Sequence, residues 1–172
     1  AQDSLKVFWC GAVTDRSVDV RALMNTSVDS VRLEVDVDAA FTSPTYSART
    51  PRDTTGALTS LRVKGLDGGT TYYYRFELDG VVDTSAAYIG RFRTTRTGPW
   101  SYSFVAGSCN SNSDHPVWEA MRQRDPLFFL SIGDLHYANP NSSDVNVHRQ
   151  AYLDQVLSRS MAMGLLHQAP LA

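Results

Sequence analysis

From Val31 to Asp38 apolar and charged residues alternate without interruption: Val31, Leu33, Val35 and Val37 against Arg32, Glu34, Asp36 and Asp38. Successive side chains of an extended strand point to opposite faces, so this period of two fits a sheet with one buried face and one wet one. Val18, Val20 and Ala22 alternate with Asp19 and Arg21 in the same way. Further strand-like runs follow at Leu58 to Val63, Thr71 to Leu78 and Ala87 to Thr94. Turn signals separate them: Asp53-Thr54-Thr55-Gly56, Asp67-Gly68-Gly69 and Asp79-Gly80. Several short strands at this spacing predict a β-sandwich over residues 1–96.

The segment Leu66-Asp67-Gly68-Gly69-Thr70-Thr71-Tyr72 sharpens that reading. A leucine closing one strand, a tight turn, then a threonine and a tyrosine resemble the tyrosine corner of fibronectin type III and immunoglobulin-like sandwiches, with Tyr72 as the corner residue. The neighbouring rings of Tyr73, Tyr74 and Phe76 are expected to divide between core and solvent rather than form a ligand face. Cys10, in the strand-like Val7-Phe8-Trp9-Cys10, reads as a buried core thiol, and two cysteines make no disulfide framework.

After the linker Thr97-Gly98-Pro99 the pattern becomes α/β over residues 97–172. Ser101 to Ala106 reads as a strand ending in Gly107-Ser108-Cys109-Asn110, and the apolar run Leu127 to Ile132 as another ending in Gly133-Asp134-Leu135-His136-Tyr137. Between them His115 to Arg122 reads as a short helix with Pro116 in its first turn, Val117, Trp118 and Met121 facing the sheet. A second helix is predicted from about Val145 to Gly164, with Tyr152, Leu153, Val156, Leu157 and Met161 at helical spacing. Ligands of open α/β sheets bind at the carboxyl ends of the strands. Parallel pairing would therefore place Cys109, Asp134 and Tyr137 on one rim, where thiolate, carboxylate and phenolate suit a hard trivalent metal beside a softer second one. Each residue also has a plainer reading: Asp134 as a turn cap, Cys109 as a small buried hydrophobe, Tyr137 as a ring packed over the strand end.

Composition narrows the function classes. The 172 residues carry a formal charge of −2, which points to neither nucleic acid nor an anionic membrane as partner. No apolar run approaches the roughly 18 residues of a membrane span. The polar opening Ala1-Gln2-Asp3-Ser4 is no signal peptide and suits a mature exported protein as well as a cytosolic one. Neither a Gly-x-Ser-x-Gly nucleophile turn nor a His-x-x-x-His pair occurs, and His115, His148 and His167 are expected at caps or solvated positions.

The order and spacing of the front sandwich, Ser108-Cys109 and the Gly133-Asp134-Leu135-His136-Tyr137 loop resemble the PhoD-like alkaline phosphatases and phosphodiesterases of the calcineurin-like metallophosphoesterase superfamily. That resemblance implies a fibronectin-type or immunoglobulin-like sandwich followed by the start of an α/β metallophosphoesterase domain. It implies metal-dependent hydrolysis of phosphate esters at a dinuclear site. Cys109, Asp134 and Tyr137 would bind iron(III), and Asp134 would bridge to a second divalent metal, usually calcium. His136 would reach the phosphate or a leaving group, and Asn110 would line the pocket. Export to the cell surface, the periplasm or the medium follows from the same resemblance.

The family completes its site with further Asn, His and Asp blocks on later strands, and none occurs before Ala172. Two parallel strands cannot build a core alone, so residues 97–172 read as incomplete, calling for the remainder of the domain or a complementing chain. The alternative is a non-catalytic module that binds a partner through the sandwich surface.

Overall fold

Two antiparallel sheets face each other across one apolar core. The first pairs β1 (Leu5–Gly11), β2 (Ser17–Met24) and β6 (Thr59–Lys64) in the order β1-β2-β6. The second is built on β3 (Ser30–Asp36) and β7 (Thr71–Leu78), flanked by the short β4 (Thr45–Tyr46), β5 (Thr50–Pro51), β8 (Val81–Val82) and β9 (Gly90–Arg93). This is a β-sandwich. The computed structural model describes residues 4–172, and the polar opening Ala1-Gln2-Asp3 lies outside the described residues.

Most of the period-two residues do what their spacing requires, but Val37, past the end of β3, is 57% exposed. Val18, Val20, Val31, Leu33, Leu61 and Val63 are fully buried between the sheets, with Tyr74, Phe76 and Phe92. Tyr72, Tyr74 and Phe76 are thereby core residues and offer no external aromatic face. The Asp67 N–H donates to the Tyr72 hydroxyl at 2.9 Å, which closes the tyrosine corner. Asp79 and Gly80 both take positive φ, the two-residue turn that matches strand twist in the β7–β8 hairpin.

The face of β3 expected to be wet is covered. Glu34 and Asp36 are only 3% and 5% exposed. Glu34 accepts from Arg75 at 2.6 Å, and Arg32 donates to Glu77 at 2.8 Å, each pair directly opposite across β3 and β7. Asp36 accepts from the Ser43 N–H at 2.7 Å. The excursion between β3 and β5 lies over this face, with Phe41 under the Arg75 guanidinium and Tyr46 under that of Arg32, both at 4.1 Å. Alternation identifies two faces but not whether a later loop roofs the second.

Beyond the sandwich, β10 (Val105–Gly107) and β11 (Phe129–Ser131) form a parallel pair, Gly107 opposite Ser131. Both are shorter than the runs suggested, and Tyr102 and Phe104 are exposed. The pair does not stand alone. Leu171 bridges in parallel to Phe129 on one side and to Gly11 of β1 on the other, so the C-terminal segment joins the parallel strands to the first sandwich sheet. Val7, on the outer face of β1, is buried against Trp118, Phe129, Val156 and Leu165. The apolar run Val7 to Cys10 is explained by this two-sided burial.

The first helix, α1 (Val117–Arg122), is as expected except at one position. Trp118 is buried and Met121 packs on the same cluster, but Val117 is 48% exposed. The long second helix is interrupted. α2 (Val145–Tyr152) passes into a π turn at Leu153–Leu157, the chain extends at Arg159, and α3 (Ser160–Leu166) starts anew. The Arg159 guanidinium closes the π turn by donating to the Asp154 carbonyl at 2.8 Å, and the Ser113 carbonyl accepts the Ala162 N–H at 3.0 Å. The break turns Val156 and the Ala162, Met163, Leu165, Leu166 face into one core and leaves Tyr152 and Met161 exposed. None of the helices among the described residues is long and apolar enough to cross a membrane.

Candidate functional site

The two parallel strands deliver their loops to the same rim. Ile132 N–H donates to the Gly107 carbonyl at 3.0 Å, and Asn110 N–H to the Asp134 carbonyl at 2.9 Å, so the pairing continues past the strand ends. Cys109 (φ 56°) and Asp134 (φ 44°) both sit in the left-handed region. For a non-glycine residue that conformation costs about 1–3 kcal/mol and persists only where the surroundings enforce it. Gly133, at φ 122°, supplies a reversal before Asp134 that an L side chain rarely adopts.

Cys109, Asp134 and Tyr137 meet. The Tyr137 hydroxyl donates to Asp134 Oδ2 at 3.0 Å and lies within hydrogen-bonding reach of the Cys109 sulfur. That contact with Tyr137, helped by Ser108, draws the Cys109 thiol below its ordinary pKa. Its counterpart pushes the Tyr137 phenol up, the Cys109 bond first and the Asp134 bond second. The Cys109 thiol is exposed rather than buried as a small hydrophobe, and the Tyr137 ring is 46% exposed rather than packed over the strand.

This donor set fits a metal ion. A thiol, a carboxylate and a phenol converge on one exposed rim, and all three become anionic donors once a cation displaces the protons they share. Among the described residues no three His, Cys, Asp or Glu side chains cluster as a metal site. Cys109 and Asp134 have the Tyr137 phenol as their third member.

The other candidates are placed differently. His136 turns toward α2: its ring meets Tyr152 edge-on at 4.4 Å, and its Nδ1 accepts the Ala138 N–H at 3.2 Å. Asn110 lies beside Cys109 and directs its amide into the rim, donating to Ser113 Oγ at 2.7 Å and to the Leu135 carbonyl at 2.9 Å. A cavity of about 310 Å³ opens behind Cys109, with Ser108, Asn110 and His115 at its edge and Trp118 and Phe129 on its floor. His115 caps α1 by accepting the Val117 N–H at 3.2 Å, and His148 meets the Ser142 carbonyl at 2.7 Å. His167 is the C-cap residue of α3, as expected of a helix end, but it is not solvated: it stacks on Phe8 at 3.8 Å, and burial pushes its imidazole down to about 4.

Ser113 was not legible as a site-supporting residue. It is 3% exposed and joins Asn110 to the start of α3 through its hydroxyl and carbonyl. In sequence it belongs to a polar Ser-Asn-Ser-Asp run indistinguishable from an ordinary surface loop.

Neither a family model nor a curated protein matches the chain. Among solved structures, PhoD superposes with a TM-score of 0.79 at 16% identity, covering 96% of this chain and 37% of the PhoD chain. The sensor domain of the anti-sigma factor RsgI4 in Pseudobacteroides cellulosolvens matches with a TM-score of 0.43 at 16% identity, over 59% of this chain and 97% of its own. The chain thus spans little more than a third of the PhoD chain's length. Its likeness to PhoD, at that identity, is one of fold.

Proposed function

We propose that this chain carries the front part of a metal-dependent phosphoric ester hydrolase of the calcineurin-like type. The observation that supports the reading is the Tyr137 hydroxyl bonded to Asp134 and facing Cys109 at the ends of two parallel strands. Cys109, Asp134 and Tyr137 would hold iron(III) together with a second ion, a divalent one such as calcium. When bound, such a pair lowers the pKa of water and offsets charge on a phosphoryl group.

The chain's own residues set the conditions. Left-handed backbone at Cys109 and Asp134 fixes two donors before any cation arrives. Tyr137 keeps Asp134 oriented through its hydroxyl. Asn110 lines the cavity beside the site, and His136, anchored on Tyr152, stands on the same loop to meet phosphate or a leaving group. The substrate is a phosphate ester, outside the cytoplasm, and the remaining ligands come from the rest of the domain or from a complementing chain. The sandwich shapes access rather than doing chemistry.

Elemental analysis scaled to intact mass tests this reading. Iron and calcium should bind the wild-type chain and be lost from Cys109→Ser and Asp134→Asn while circular dichroism stays unchanged. Homogeneous 172-residue material should not hydrolyse bis(p-nitrophenyl) phosphate without the completing segment. Equal metal content in all three proteins would sink the reading and favour a module that binds through the sandwich.

A further inference from the structure

The geometry points to Asn110 as the positioning residue of this rim: its amide latches the Cys109 loop to the Asp134–Tyr137 loop and so sets the spacing of the three donors. The inference rests on the metal-site reading above. The strand register ends at Gly107 and Ser131, and the Ile132 N–H bond to the Gly107 carbonyl at 3.0 Å extends it by one residue. Asn110 supplies two cross-links there, from its backbone N–H to the Asp134 carbonyl at 2.9 Å and from Nδ2 to the Leu135 carbonyl at 2.9 Å.

The latch is itself anchored. Nδ2 also donates to Ser113 Oγ at 2.7 Å, and the buried Ser113 accepts the Ala162 N–H through its carbonyl. Ala162 and its neighbours on α3 are core residues. The position of Asp134 and Tyr137 relative to Cys109 is thereby referred, through Asn110 and Ser113, to the packed interior rather than to the exposed loops. Both Nδ2 hydrogens are engaged within the protein, so the donors of Asn110 act on the site through the backbone they hold.

Cobalt(II) titration of the chain provides the test, because a cobalt–thiolate bond absorbs in the near ultraviolet. Wild-type protein should show a band that Cys109→Ser abolishes. Asn110→Ala should weaken cobalt binding about 10–100-fold, the usual effect of removing a ligand's supporting hydrogen bond. Asn110→Asp should weaken it too. That variant has the same shape and adds a negative charge favourable to a cation, so a loss there isolates the missing N–H donors from any packing role. Amide exchange in segment 133–137 should rise in both variants without metal, while β3 and β7 keep their protection. Wild-type affinity and unchanged exchange in both variants would overturn the assignment. Absence of any Cys109-dependent band in the wild type would remove the metal-site reading and the positioning role with it.

Discussion

The Cys10 sulfur is fully enclosed, and burial pushes its thiol up to about 12, whereas the exposed Cys109 thiol is drawn down by Tyr137. Thiolate fraction and access both govern alkylation. Iodoacetamide at pH 8 should modify Cys109 in the folded protein and Cys10 only after unfolding, as mass spectrometry would read directly. Modification of both at equal rates in the native state would contradict the burial of Cys10. At this scale the sequence was informative about which side chains meet and silent about what supports them. The strand-ending patterns Gly-Ser-Cys and Gly-Asp marked Cys109 and Asp134, because a strand end is a local property. The Asn110–Ser113–Ala162 chain of bonds was not legible, since it joins residues through a fold that no local pattern encodes.

Among the strands, Gly90 occupies the tightest position. A Cβ there would lie 2.1 Å from Cζ of Tyr74, a fully buried ring whose hydroxyl donates to the His167 carbonyl at 3.3 Å. Tyr74 cannot retreat without losing that bond, so Gly90→Ala should cost about 3 kcal/mol by overpacking, measured by urea unfolding. Loss below 1 kcal/mol would mean that the ring has space to move. Strand positions were read well because alternation is set by the chain's own geometry. The break between α2 and α3 was not, because apolar spacing from Tyr152 to Met161 satisfies a helical period whether or not the chain turns at Arg159. What decides the turn is the Ser113 carbonyl that accepts from Ala162, a partner supplied by a distant loop.

Across the whole molecule the sandwich and the parallel pair are joined at β1, where His167 stacks on Phe8 and its carbonyl accepts from Arg91 N–H at 2.8 Å. Burial holds the imidazole neutral down to about 4, against an ordinary value of 6.5. As pH falls through 6.5 the unfolded chain takes up a proton that the folded chain refuses. The stabilisation is therefore complete above 6.5 and lost progressively toward 4, amounting to about 3 kcal/mol. Thermal midpoints should fall across that window, and His167→Phe, which keeps a ring on Phe8, should flatten the decline. A wild-type midpoint constant from pH 6.5 to 4.5 would contradict it.

Leu171 is the other joint. Its N–H donates to the Cys10 carbonyl at 3.0 Å, while Phe129 N–H donates to the Pro170 carbonyl at 2.9 Å. Leu171→Pro removes the bond to β1, and limited proteolysis should then cut within 97–130 while β1 to β9 survive. The expectation that two parallel strands cannot build a core alone left open what covers them; here β1 and Leu171 do so, and no pattern in Gln168 to Ala172 announced that segment.

That brace also fixes an order of events. Ribosomal synthesis delivers β1 to β9 early, and every pairing of the sandwich can close before Leu171 exists. The rim bearing Cys109 and Asp134 must wait for the segment that bridges Gly11 and Phe129, a contact between nearly opposite ends of the sequence. Pulse-labelled exchange during refolding should accordingly protect β3 and β7 first and β10 and β11 last. A nascent chain would thus own a finished sandwich while the rim of Cys109 and Asp134 was still an open loop.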